Sequence, residues 1–375
     1  MLYYNARVFT PAGYISGGFE VENGRFLKIL SGVLSGAGID LGGAKVIPGL
    51  VDIHTHGNSE RDFSDADPNG LEIMGRYLAA NGITSFLPTS VTLPYAALED
   101  AFQSAAQLYD SKPKGCSRVL GVRMEGPFFS PKRNGAQNKA LLRLPDEDVF
   151  RALYQRCGGL IRIVDLAPDL PGAMEFVRHV RALTTVSVGH TDADYDTASA
   201  AFDAGCTHLT HLYNAMQPIH HRSPGVIGAA SEREQVTAEL ICDGVHVHPA
   251  AVRMAIRLFP GRLCLVSDAL RCCGMPDGVY DLGGQTVYLK NNAARLADGT
   301  LAGSSSNLFQ CLRNAIRFGI SEEEAIRAAT IVPAHVIGAS DQIGSIEAGK
   351  LADFVVCDDH LQIQQVFIGN VCVRS

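Results

Sequence analysis

The sequence predicts an α/β protein: a (β/α)8, TIM-like barrel with a small β-sandwich domain built from both termini. Three observations predict it. Eight short apolar runs alternate with stretches of helical period, the mark of a parallel sheet with crossover helices. Residues 47–339 have a normal length for eight such units closing on themselves. Histidines and carboxylates cluster at the ends of the runs, where a barrel of this kind carries its chemistry.

The runs come in order. VIPGLVDIH (46–54) is followed by a helical stretch over residues 68–80, and ITSFLPTSV (83–91) by AFQSAAQLY. VLGVRMEG (119–126), IRIVDLAP (161–168), TTVSVGH (184–190), THLTHL (207–212), VTAELICDG (236–244) and LCLVSDAL (263–270) complete the set. MEFVRHVRAL, DTASAAFDAG and PAAVRMAIRLF fill gaps between them with apolar residues at helical spacing. Residues 1–46 hold short alternating segments parted by glycine turns, and the last stretch, LADFVVCDDHLQIQQVFIGNVCVRS, is again strand-like. Residues 1–46 plus 340–375 therefore form one small β domain, since termini often lie close together. A doubly wound sheet is the rival, but no G-x-G-x-x-G follows an early strand.

Composition narrows the function classes. With 46% apolar and 19% charged residues, the chain is neither disordered nor fibrous. A net charge of -7 and the lack of a Lys/Arg cluster speak against a nucleic-acid partner. An anionic small substrate needs only one or two placed arginines. No apolar stretch reaches the roughly 18 residues of a membrane span, and MLYYNARVFT lacks the pattern of a secretory signal. The ten cysteines are scattered and form no C-x-x-C. They are expected to be reduced, mostly buried and apolar in role, in a cytoplasmic protein. The adjacent Cys272 and Cys273 have no further cysteine motif beside them.

The chemistry is read from six residues. His54 and His56 end the first run, Glu125 the third, His190 the fifth, His211 the sixth and Asp268 the eighth. Six metal-type ligands on five strand ends converge at a barrel mouth. Along a strand, residues two apart share a face, so His54 and His56 can chelate one ion. Their donor types suit zinc or a similar first-row metal, which lowers the pKa of a bound water. Asp268 can serve as ligand, as general base, or as both.

Other motifs weigh less. His246 and His248 form a second H-x-H in a Gly- and Pro-flanked loop past the seventh run, and His246 reads better as a substrate contact. His208 reads as a barrel side chain; His220 and His221 lie in a loop with Arg222; His179, His335 and His360 read as structural. GSIEAGK (344–350) resembles part of a phosphate loop, but Leu351 stands where Ser or Thr should hold magnesium, and a strand follows instead of a helix.

Together with PGLVDIHTHG, MEGPFFSPKRNGAQN, VGHTDADYD, THLYNAMQPIHHRSPG, DGVHVHP, LVSDAL, LAGSSSNL and GSIEAGKLADFVV, these residues resemble the amidohydrolase superfamily. Within it the chain resembles the N-acetylglucosamine-6-phosphate deacetylase family over nearly its whole length. The resemblance implies metal-dependent hydrolysis of the acetamide of a phosphorylated N-acetylamino sugar. It implies that Glu125, His190 and His211 hold the main ion and that His54 and His56 hold a second. One or two divalent ions per subunit follow, with zinc favoured over iron, manganese or cobalt. Many superfamily members use a carboxylated lysine as bridging ligand; IRIVDLAP has no lysine, and Glu125 takes that place. By the same resemblance Asn214, Ala215 and Arg222 meet the sugar phosphate, Gln137 and His246 approach the sugar, Asp268 is the proton shuttle, and the protein is a homodimer in which Arg222 or His246 reaches a neighbour's site. SSNL after LAGS departs from a Leu-Thr-Met-like stretch common in relatives, which loosens the reading of acyl and sugar preference. Two alternatives stay open: the same reaction on N-acetylgalactosamine 6-phosphate, whose C4 hydroxyl alone differs, and a non-catalytic barrel that senses sugar phosphates. The retained Asp268 argues for the enzyme, because a sensor has no need of a proton shuttle.

Overall fold

In the computed structural model, which describes residues 1–369 and 371–375, both ends of the chain meet in one eight-stranded sheet. Its order is Val371–Arg374, Ile363–Ile368, Phe354–Cys357, Lys45–Pro48, Leu2–Thr10, Gly13–Glu22 and Arg25–Ser31, and Gly38–Asp40 pairs with Leu2–Thr10. The sheet curls on itself. Phe26 N–H donates to the Lys350 carbonyl at 2.9 Å, and Phe19 meets Phe354 edge-on at 4.9 Å between centroids. Tyr3, Phe19, Phe26, Phe354 and Phe367 form its core, and all are buried.

The first apolar run of the sequence is divided between two sheets. Lys45–Pro48 pairs antiparallel with Phe354–Cys357, so the terminal sheet extends two residues past the expected boundary at residue 46. The chain then turns at Gly49, where an added Cβ would lie 2.2 Å from Thr84 Oγ1. Leu50–Thr55 opens the parallel sheet. Ile83–Pro88, Val122–Met124, Ile161–Leu166, Thr185–Val188, His208–Leu209, Thr237–Ile241 and Leu263–Val266 follow in chain order, each beside its predecessor. Isolated parallel bridges join Thr89 to Arg123 and Thr55 to Ala269. The second of these sets the first strand beside the last, so the parallel sheet is strongly curled.

The helices fall where the periodicity predicts. Pro68–Ala80 begins with Asp67 accepting from Asn69 N–H and proline in its first turn. Tyr95–Ser111, Ala173–Val180, Tyr195–Ala204 and Pro249–Leu258 match the other helical stretches. Two strands are shorter than their runs. The third is interrupted at Leu120–Gly121, and the sixth keeps only His208–Leu209, because His211 turns to a left-handed φ of 26°.

Inside the curled sheet the side chains are layered, as in parallel barrels. Val51, Ile53, Leu87, Ile163, Ile241, Cys264 and Val266 pack against Val332, Ala334 and Ile343 as an apolar floor. A layer of Arg123, Asp165, Ser187, His208, Thr210 and Glu239 forms a buried polar network. The metal-type ligands meet that layer through His54 and His211. A three-stranded antiparallel insert over Gly278–Leu282, Gln285–Lys290 and Ala293–Leu296 follows the last parallel strand. Gln285 Nε2 ties it to the Ala136 carbonyl at 2.6 Å. Among the described residues, no helix is long and apolar enough to cross a membrane.

Candidate metal centre and active site

Four imidazoles present the same nitrogen to one space. His54 donates its Nδ1–H to Glu239 Oε2 at 2.9 Å, His56 to the Thr89 carbonyl at 3.0 Å, and His190 to the Arg133 carbonyl at 3.0 Å. A neutral imidazole whose Nδ1 carries the proton exposes a bare lone pair at Nε2. These second contacts therefore fix the tautomer that a metal needs. His190 also stacks on Phe129 at 4.3 Å between centroids. His211 aims its Nε2 into the same space, where it lies 3.0 Å from His190 Nε2. Either a proton shared between the two nitrogens or a metal ion bound by both accounts for that distance.

Glu125 stands at the middle. Its Oε1 is 3.4 Å from His190 Nε2, 3.3 Å from His211 Nε2 and 3.4 Å from His54 Nε2, and its Oε2 is 3.4 Å from His56 Nε2. Ligands held at zinc–nitrogen distance in a tetrahedron are about 3.4 Å apart, so these spacings fit a first-row ion. Two overlapping donor groups result: Glu125, His190 and His211, and His54, His56 and Glu125. Asp268 Oδ1 joins the second, 3.1 Å from His56 Nε2 and 3.5 Å from His54 Nε2. His54 Nε2 is buried without a hydrogen-bond partner, which again fits a metal donor set.

The electrostatics agree. Burial by itself would raise the Glu125 carboxyl, but positive charge at His54 and the other imidazoles gathered around it hold it well below the ordinary range. For Asp268, burial is likewise overcome by His54 and His56, and its carboxyl is lowered. His54 and His56 are raised, since the surrounding carboxylates outweigh burial. A buried pocket with this excess of carboxylate favours positive charge, and a divalent ion supplies it.

The ligands floor a cavity of ≈ 240 Å³ that Gln137, Asn214, Ala215, His246 and Asp268 also line. Asp268 takes a left-handed φ of 48°, and the chain beside it must be glycine: a Cβ on Gly303 would lie 2.9 Å from Asp268 Oδ1. Tyr213 and Ala215 have positive φ values of 78° and 50°, which bends the loop after His211 over the cavity. Sparsely populated backbone of this kind concentrates at functional sites. Asn214 donates its amide to the His211 and Leu212 carbonyls at 3.3 and 3.2 Å.

Two cavity residues, Gln137 and His246, also have partners within the protein. Gln137 spends both ends of its amide within the protein: Nε2 donates to Glu125 Oε2 at 2.7 Å, and Oε1 accepts from Thr92 N–H at 2.7 Å. His246 lies 2.7 Å from both Asp243 Oδ2 and the Ala302 carbonyl. Both partners only accept, so the ring donates from both nitrogens as an imidazolium. Burial opposes that charge, but the bond to Asp243 outweighs it and raises the His246 pKa.

The structure does not bring Arg222 to this cavity. Arg222 is exposed and its Nη1 lies 2.7 Å from His221 Nε2, in a loop at the surface. His248 is exposed and caps helix Pro249–Leu258 through Ala250 N–H, so it is no ligand of the centre. Cys272 and Cys273 are buried, and burial pushes their thiols up to about 11 and about 12, which suits inert apolar residues. Lys350 folds back onto Ser345 and Glu347 at 2.6 and 2.8 Å, far from the geometry of a phosphate loop. Sequence reasoning missed Glu239, Arg123 and Asp165. Each sits mid-strand in an apolar run, and a lone charged residue there was the available signal.

The chain matches the amidohydrolase family over residues 45–373. It belongs to that family. This amidohydrolase is 39% identical, over 88% of its own length and 85% of the relative's, to N-acetylglucosamine-6-phosphate deacetylase of Bacillus subtilis. It is 37% identical to N-acetylgalactosamine-6-phosphate deacetylase of Escherichia coli O157:H7, over 86% and 85% of the two chains. Among solved structures it resembles a mutant N-acetyl-D-glucosamine-6-phosphate deacetylase from Mycobacterium smegmatis in complex with N-acetyl-D-glucosamine-6-phosphate. There the TM-score is 0.94 with 33% identity, and 100% of this amidohydrolase and 99% of that chain are covered.

Proposed function

We propose that this chain is a metal-dependent deacetylase that hydrolyses N-acetyl-D-glucosamine 6-phosphate to D-glucosamine 6-phosphate and acetate, in amino-sugar catabolism or recycling. The reading is carried by the convergence of four Nε2 atoms on Glu125, at a cavity with Asp268 at its wall. The relatives' names supply the substrate class. The same reaction on the galacto epimer is the second reading, and the Escherichia coli relative favours it.

The curled sheet is read as a closed (β/α)8 barrel over residues 47–339. The terminal sheet, with its edges drawn together, is read as a β-sandwich domain of residues 1–46 plus 340–375. The setting is read as cytoplasmic, in keeping with unpaired cysteines, all buried but the exposed Cys372.

Glu125, His190 and His211 would hold the main ion, zinc first among first-row candidates, and His54, His56 and Glu125 a second. A bound ion supplies carbonyl polarisation and a water that ionises near neutral pH. Asp268 would take a proton from the attacking water as the water's oxygen bonds to the acetamide carbon. The C–N bond then breaks, and Asp268 returns the proton to the departing nitrogen, which is too poor a leaving group as an anion. Gln137 holds Glu125 in place. His246 gives the cavity wall a positive charge facing an anionic substrate. Removal of metal by a chelator is expected to abolish acetate release, and re-addition of a divalent ion to restore it. Full activity in metal-free protein would contradict the reading.

No Lys or Arg side chain lines the cavity among the described residues. The phosphate is therefore read as held by the loop at Asn214 and Ala215, with Arg222 donated from a second copy in a homodimer. Arginine's planar fork matches a phosphate. Arg222→Ala is expected to lower kcat/KM on the phosphorylated sugar by about 30- to 1000-fold. On the unphosphorylated sugar it should change little. Equal losses on both would make Arg222 structural.

A further inference from the structure

Beneath the ligands lies Glu239, a fully buried carboxylate that takes no part in the mechanism above. Its two oxygens make four contacts. Oε2 accepts from His54 Nδ1–H at 2.9 Å and from the backbone N–H of His211 at 3.0 Å. Oε1 faces His208 Nε2 at 3.0 Å and the Arg123 guanidinium. Arg123 is itself clamped by Asp165 at 2.8 and 2.9 Å, and Asp165 accepts from Thr210 Oγ1 at 2.6 Å. One oxygen of Glu239 thus touches a ligand from each donor group: the ring of His54 and the peptide of His211.

The two contacts do different work. The bond to His54 keeps the proton on Nδ1 and the lone pair of Nε2 on the cavity. The bond to His211 anchors a non-glycine residue at a φ of 26°, a backbone conformation that needs an external hold to persist. His211 Nδ1 is buried with no hydrogen-bond partner, so its ring has no second contact to steady it, unlike His54, His56 and His190. Its orientation depends on where its backbone is pinned. Arg123 and His208 in turn fix Glu239, which cannot swing away from either ligand.

We propose that Glu239 is a positioning residue that couples the two metal-ligand groups, holding His54 and His211 in register through a single carboxylate oxygen. This rests on the two-group reading of the centre. Orienting contacts of this kind are worth about 10- to 100-fold in metal affinity. Glu239→Asp keeps the negative charge that Arg123 requires but is one methylene short, so it cannot reach both ligands. Glu239→Gln keeps the length and loses the charge. Asp165→Asn disturbs the same buried Arg123 without touching a ligand, and it reports what damage to the network does alone.

The experiment measures zinc affinity by chelator competition and bound zinc by elemental analysis, with a thermal melt of each metal-free protein. Both Glu239 variants are expected to bind zinc 10- to 100-fold more weakly than wild type. Asp165→Asn should bind zinc as wild type does, even if it melts earlier. Wild-type affinity in Glu239→Asp would overturn the proposal. An equal loss in Asp165→Asn would also overturn it, by making Glu239 one part of a merely structural network. A wild-type protein that bound no zinc or other divalent ion would instead fail the two-group reading itself.

Discussion

Asp268→Asn is expected to lower kcat by about 10²- to 10⁴-fold, the usual worth of a positioned acid–base group. Asparagine has nearly the same shape, but its amide cannot take a proton from water. Asp268 Oδ1 lies 3.1 Å from His56 Nε2 and 3.5 Å from His54 Nε2, close enough to lend the second donor group a ligand. The first group, Glu125, His190 and His211, does not include it. Main-site metal should therefore survive the substitution, and KM should change little, the pattern for an interaction made chiefly in the transition state. Steady-state rates with elemental analysis of the same sample check both halves. A variant within tenfold of wild type would mean that another base takes the proton.

Glu125→Gln is expected to be more damaging still. Glu125 is the one residue shared by both donor groups, and four imidazoles lie within 3.4 Å of its oxygens. Glutamine removes the charge that balances those groups and presents an amide N–H where a lone pair is needed. Both sites should lose metal. A bound ion is worth several kcal/mol of transition-state stabilisation, so activity should fall by at least about 10³-fold. Metal content separates this from Asp268→Asn: depleted in one, largely retained in the other. A Glu125→Gln protein with full metal would place the ion among other residues.

Much of this centre was legible in the sequence, because barrel strands carry chemistry at their ends and each ligand terminates an apolar run. His56, Glu125, His190, His211 and Asp268 line one cavity, and His54 meets Glu125 and Asp268 beside it. What lay one step back was not legible. Glu239 and Arg123 look like single polar interruptions in VTAELICDG and VLGVRMEG, and nothing local says that they meet across the sheet. The insert over 278–296 also escaped notice. Its signals were the glycine pair at 283–284 and the asparagine pair at 291–292, which close its two hairpins. Resemblance places Arg222 at the phosphate, but no motif reveals that its loop stands at the surface of its own chain. Strand lengths erred for a physical reason: THLTHL reads as one run, yet the left-handed turn at His211 ends the strand after Leu209.

In the proposed function this amidohydrolase removes acetate from a phosphorylated amino sugar with the help of a bound divalent ion. Steady-state acetate release tests it most directly, on protein whose metal content has been measured. Four substrates are needed: N-acetylglucosamine and N-acetylgalactosamine, each with and without the 6-phosphate. The expected result is the highest kcat/KM on N-acetylglucosamine 6-phosphate, a large drop for both sugars lacking the phosphate, and loss of all activity when the metal is stripped. A higher kcat/KM on the galacto 6-phosphate would move the assignment to that epimer. Acetate release from none of the four by fully metal-loaded protein would contradict the account.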